Sequence, residues 1–347
     1  MNNTIKSILK VFMFLGIGSA ILYLVYARNN QKYIAECIAS GTPQGQCDFI
    51  GKIVQDISSA DFSWVVLALV FYIWSNVSRA IRWRMLLEPL GKKPRLSNTL
   101  TTVLITHLVN LGIPRSGEFV RAGLLAKYED LEAEKVMGTI VTSRIIDVLL
   151  LALVIGLTLI LSFDNFAGYF QNSDLLGDRS GLFSMTSLII LPVFALSVLT
   201  LTWHSRDKIL KTALGKKIWS IIIGFWEGIL TIRSLRSPTR FILHTILIWV
   251  CYYLMTYLMF FSFVPTENLA PVAGLVVFVF GTLGIVIPSP GGMGTYQFLI
   301  SEGLLLYSVP SAEAFSFANL MFFSVQLCNV VLGLIAFILL PILNQND

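Results

Sequence analysis

The sequence predicts an all-α integral membrane protein, with about six full transmembrane helices and two re-entrant, broken-helix segments. Three observations predict it. Of the 347 residues, 55% are hydrophobic and only 13% charged, whereas soluble domains carry about 25% charge. The charge is missing in blocks: residues 11–27, 62–78, 181–203, 241–266, 268–301 and 314–346 contain no Asp, Glu, Lys or Arg. Each block reaches the roughly 17–25 apolar residues that a crossing helix needs. Finally, proline and glycine interrupt two apolar stretches at points where a helix cannot continue.

Lys6 and Lys10 precede the first block in the manner of a signal peptide. The apolar run reaches Ala27, beyond the usual 7–15 residues of such a peptide, so a retained helix over 8–27 is expected. The next stretch, 28–61, reads as an external loop; Asn29–Asp61 carries Lys32 and Lys52 against Glu36, Asp48, Asp56 and Asp61. Cys37 and Cys47 share it; an oxidising compartment permits a disulfide there, or both remain free. A second span, 62–80, ends in a basic stretch that holds Arg79, Arg82, Arg84, Lys92, Lys93 and Arg95. Lys and Arg in short loops mark the cytoplasmic side, which puts the N-terminus in the cytoplasm of a bacterial inner-membrane protein. The juxtamembrane position of these basic residues makes them topology signals, and nucleic acid is not an expected partner.

Residues 97–113 are moderately apolar and flanked on both sides by charge of the cytoplasmic kind, so the segment enters and leaves on one side. Full spans follow at 136–162 and 183–203. Residues 216–236, basic at both ends around an apolar middle, read as an amphipathic segment on the cytoplasmic face. After a span at 241–263 comes 268–301, too long for one crossing and too short for two with a turn. A broken hairpin of two half-helices fits it best, a full span plus a half-helix being the alternative. The last span is 314–340. The whole chain, 1–347, reads as one polytopic membrane domain. Asn110-Leu111-Gly112-Ile113 before the first break echoes Thr282-Leu283-Gly284-Ile285 before the second, and hairpins opening from opposite sides would make an inverted repeat.

Irregular backbone at membrane depth survives only where protein or a wet cavity surrounds it, so both breaks imply an internal site. At the first, Pro114 and Gly117 bracket Arg115, Glu118 and Arg121; Arg115 could take a phosphate bidentately, and a solvated surface loop is the alternative. Arg144 and Asp147, at i and i+3 inside a span, are costly there and normally mark a pathway or a static ion pair. At the second break, Pro288 and Pro290 stop the helix, and the N–H groups of Gly291, Gly292 and Gly294 could receive an anion or simply allow close packing. His107, His204 and His244 are isolated and read as structural; Cys251 and Cys328 read as packing residues. No spacing suggests a metal site or a cofactor, no nucleophile–base set appears, and no soluble stretch could hold an ATP-hydrolysing domain, so an enzyme is not expected.

The ordered trio Pro114-Arg115-Ser116-Gly117-Glu118-Phe119-Val120-Arg121, Arg144-Ile145-Ile146-Asp147 and Pro288-Ser289-Pro290-Gly291-Gly292-Met293-Gly294 resembles the lysylphosphatidylglycerol synthase transmembrane-region family, or flippase-like domain family, across nearly the whole chain. The resemblance implies a helical membrane domain that moves or accommodates lipids. The synthases of that family add a soluble aminoacyltransferase domain; this chain stops at Asp347, so aminoacyl transfer is not expected. The family often has an acidic residue just beyond the glycine cluster, where this chain has Tyr296-Gln297. The expectation is thus a lipid translocator for an anionic phospholipid or glycolipid, with Arg115, Arg121 and Arg144 on the phosphate and Glu118 and Asp147 orienting them. The alternatives are a non-transporting subunit that docks a lipid-modifying enzyme, and a secondary transporter of a soluble anion.

Overall fold

The computed structural model describes residues 3–91, 93–166, 235–287 and 289–345. It divides into two compact units, Met1–Val141 with Thr239–Asp347, and Thr142–Pro238. Among the described residues the regular structure is entirely helical: α1 Asn3–Ala39, α2 Phe49–Ser58, α3 Phe62–Leu87, α4 Leu96–Gly112, α5 Gly117–Glu129, α6 Ala133–Leu161, α7 Pro238–Phe260, α8 Pro271–Val286, α9 Thr295–Leu305 and α10 Ser311–Ile342. Phe62–Leu90, Ala133–Leu161, Pro238–Phe260 and Ser311–Ile342 are each long and apolar enough to cross a membrane. The expected span at 8–27 lies within α1. The one at 183–203 and most of the amphipathic segment at 216–236 fall outside the described residues.

The stretch read as an external loop is mostly helical. α1 continues to Ala39, a disulfide joins Cys37 to Cys47, and α2 begins two residues later. What orders α2 is an aromatic contact the charge pattern concealed. The ring of Phe49 lies 5.5 Å from Tyr26, 5.3 Å from Tyr33 and 5.9 Å from Phe315 on α10. Lys52 adds ion pairs to Asp56 and to Glu313 at 3.1 Å.

In the first unit, α3, α7, α8, α9 and α10 share one apolar core, including Tyr72, Met259, Phe260, Val277, Ile300 and Phe317. The outward faces are as apolar as the core, as Trp74, Leu243, Val264, Leu327 and Ile338 illustrate. Polar side chains are buried instead: Asn76, Asn98, Thr99, Thr102, Gln297 and Ser316 have no solvent exposure. That inversion suits a lipid surround, in which interhelical hydrogen bonds and close packing hold helices together.

α4 shows how a polar sequence is buried. Thr99, Thr101, Thr102 and Thr106 return their hydroxyls to carbonyls three or four residues back, so none needs an outside partner. α4 then packs on α10, where Gly333 lets the Leu108 side chain approach: a Cβ at Gly333 would meet Leu108 Cβ at 2.6 Å.

Candidate functional site

Both breaks form as expected, and they lie together. α4 ends at Gly112, and Arg115 takes a left-handed conformation, φ 63°, before α5 starts at Gly117. α5 turns back so tightly that a Cβ on Gly117 would sit 2.4 Å from the Thr106 carbonyl oxygen. The orphan N–H of Gly117 donates to Asn110 Oδ1 at 2.9 Å. Glu118 sits in the first turn of α5, where the positive end of the helix dipole favours a carboxylate.

The second break is longer. α8 has 16 residues and α9 11, about 24 and 16 Å at 1.5 Å per residue, and both fall short of the roughly 17–25 residues of a full crossing. Pro288 lies outside the described residues. Pro290 opens a single turn, Pro290–Gly292. Gly294 adopts φ +80°, which L side chains rarely do, and abuts Leu22 of α1, whose backbone nitrogen would lie 2.7 Å from an added Cβ.

Two contacts join the breaks, and a third fastens the second break to α10. The Arg115 guanidinium donates to the Val286 carbonyl at the end of α8, 2.9 Å away. A Cβ on Gly291 would touch Leu111 Cδ2 at 2.8 Å. Gln326 on α10 donates to the Gly291 carbonyl at 2.7 Å. From Gln326 a chain of bonds crosses the unit: Asn329 donates to Gln326 at 3.0 Å, Tyr72 to Asn329 at 2.5 Å and Asn76 to the Tyr72 carbonyl at 3.1 Å. His107 bonds Asn76 Oδ1 at 2.8 Å through Nε2. Because the Asn76 amide nitrogen already faces a carbonyl, its oxygen faces His107, so Nε2 carries the proton. His107 is one turn from Asn110, and the chain therefore ties the second break back to the first. His244 bonds Ser78 through Nδ1 at 2.8 Å, and His204 lies outside the described residues.

The residues predicted for a headgroup divide into separate places. Arg115 is exposed at the junction of the breaks. Arg121 is 4% exposed and lies 3.5 Å over the Trp83 ring, while the Trp83 indole donates to Thr139 at 3.0 Å. Arg144 pairs with Asp147 at 3.8 Å on α6, in the second unit. The glycines differ from expectation in their N–H groups. Gly292 donates to Ser289 at 3.1 Å and Gly294 to Gln297 Oε1 at 2.8 Å, so these two donors are consumed in building the turn.

Sequence reasoning missed Asn110, Gln297, Gln326 and Asn329. The available signal was that carboxamides stand within apolar runs, where an unsatisfied polar group is expensive. Arg82, read only as a topology charge, is fully buried with its guanidinium 5.9 Å from the Phe241 ring.

A helical membrane unit with two broken helices in contact at their breaks is the class that fold and site define. The model for the lysylphosphatidylglycerol synthase TM region matches residues 49–333, and the chain belongs to that family. It is also similar to a UPF0104 membrane protein of Methanocaldococcus jannaschii, 22% identical over 310 residues that cover 84% of this chain and 89% of the relative. No solved structure matches the chain.

Proposed function

We propose that this protein is a non-enzymatic lipid translocator of a bacterial inner membrane, its N-terminus cytoplasmic, that admits a phospholipid or glycolipid headgroup at the meeting of its two breaks. The observation that carries this reading is the contact between Arg115 and Val286. It sets a cation that can bind phosphate bidentately where two interrupted helices converge, at an exposed edge of the bundle beside the outward apolar side chains Ile285, Val286 and Ile287. Broken helices converging at mid-bundle are how many secondary transporters build a substrate site. Headgroup entry there would leave the acyl tails among the outward apolar faces of α3, α7 and α10. Glu118 would bias the orientation of Arg115. Arg144 and Asp147 enter the proposal on their sequence position alone, as costly charges inside a span. Movement would be passive or ion-coupled.

The test compares lipids that co-purify with the detergent-extracted protein, wild type beside Arg115→Ala and Arg144→Ala. One phosphate-bearing lipid enriched in the wild type and lost from Arg115→Ala, followed by its facilitated movement in reconstituted vesicles, is the expected result. The same bulk mixture in all three proteins, with wild-type melting temperatures, would remove the basis for the proposal.

A further inference from the structure

Gln297 is the buried side chain at the breaks with hydrogen-bonding capacity to spare. It has no solvent exposure. Its Oε1 accepts from the Gly294 N–H at 2.8 Å, which lays the carboxamide across the first turn of α9, an 11-residue helix. Its Nε2, able to donate twice, has no partner. The neighbouring hydroxyls are committed elsewhere: Thr295 donates to the Gly284 carbonyl at 2.7 Å, Ser289 pairs with Thr295 at 2.9 Å and Ser301 donates to the Gln297 carbonyl at 2.8 Å. The positive end of the α9 dipole lies at the same place. A dipole end and an open amide donor both call for an oxygen acceptor, and both oppose a positive charge.

We infer that Gln297 Nε2 is a ligand donor, received by a phosphate or hydroxyl oxygen of a lipid headgroup. It makes the second break a selectivity element that admits uncharged and anionic headgroups and turns away an ammonium at that point. This inference rests on the lipid reading above. Arg115 supplies the charge that holds a phosphate, and Gln297 supplies the direction of the headgroup relative to α9. Free phosphate offers the same acceptor chemistry, so the test needs an arm for each source.

The full chain is purified in detergent as wild type, Gln297→Glu, Gln297→Met and Arg115→Ala. Affinity for dioctanoyl phosphatidylglycerol, for a cationic O-ethyl phosphatidylcholine of the same chain length, and for inorganic phosphate is read by native mass spectrometry and by thermal shift. Gln297→Glu keeps an oxygen for the Gly294 N–H while replacing the donor with an acceptor. Gln297→Met removes the donor without adding charge, and covers the case in which a buried carboxylate blocks folding. The expected result is a loss of about tenfold or more in affinity for the anionic lipid in both variants, with Gln297→Glu moving preference toward the cationic one. Wild-type affinity in both variants overturns the inference. If Arg115→Ala alone loses the lipid, Gln297 is not the reader but the translocator reading stands. Failure of the wild type to bind either lipid overturns both. Protection by inorganic phosphate alone, lost in the Gln297 variants, would keep the donor and overturn the lipid.

Discussion

The two breaks solve one problem with different materials. Each must end one helix and start another within a few residues, and each uses a carboxamide to accept from a glycine N–H. At the first, Asn110 reaches forward seven residues to Gly117; at the second, Gln297 reaches back three to Gly294. The first break is short and charged, and it ends in Arg115. The second is long and uncharged, and the cation that bonds its leading helix end is that same Arg115, lent by the first. The difference teaches that charge was placed at one break only, while the other was left to be shaped by backbone and amide groups.

That comparison can be tested from its strongest element down. Gly117→Val should destabilise most, by about 3 kcal/mol or more, because the added Cβ would meet a backbone oxygen at 2.4 Å; a thermal melt in detergent reads it. If Gly117→Val melts like the wild type, the first break is not held by close packing. Gln326→Leu leaves the Gly291 carbonyl and the Asn329 amide without their partner, at a cost of about 1–3 kcal/mol. It should loosen the second break more than the first, which hydrogen exchange of Gly291–Gly294 against Arg115–Gly117 would show. Arg115→Gly should change stability by less than about 1 kcal/mol, since relief of a left-handed arginine offsets loss of one hydrogen bond. Lipid retention should nevertheless fall, which separates stability from binding at the junction. Lys52, on α2 and part of neither break, serves as a control. Burial opposes its charge, but hydrogen bonds to Asp56 and Glu313 outweigh this and raise its pKa. Its stabilising contribution is therefore complete below the ordinary lysine value, roughly 10.4, and is lost as pH rises through the higher folded value. Lys52→Gln should flatten that alkaline decline in melting temperature and leave lipid binding unchanged.

Class and breaks were legible because they are written locally. Charge-free blocks set the helices, and Pro114, Gly117, Pro290 and Gly294 set the interruptions within a residue or two. The meeting of the breaks was not legible: Arg115 and Val286 are 171 positions apart, and no short-range pattern records such a contact. Sequence leaves the glycine N–H groups open between anion reception and packing, because their partners are set by a local turn at Gly292 and by the rotamer of Gln297 at Gly294. The external stretch was read as a loop because its charges were counted and its Phe49 anchor was not.

The bond from Arg115 to Val286 carries one further consequence. The guanidinium is already engaged with the last carbonyl of α8, so on the proposal above an anion arriving at Arg115 would not fill an idle post; it would compete with a neutral dipole for a cation, and a charge is the stronger bidder. Winning that contest strips α8 of its terminal partner. Occupancy at the charged break would thereby be announced at the uncharged one, through substitution of a single acceptor.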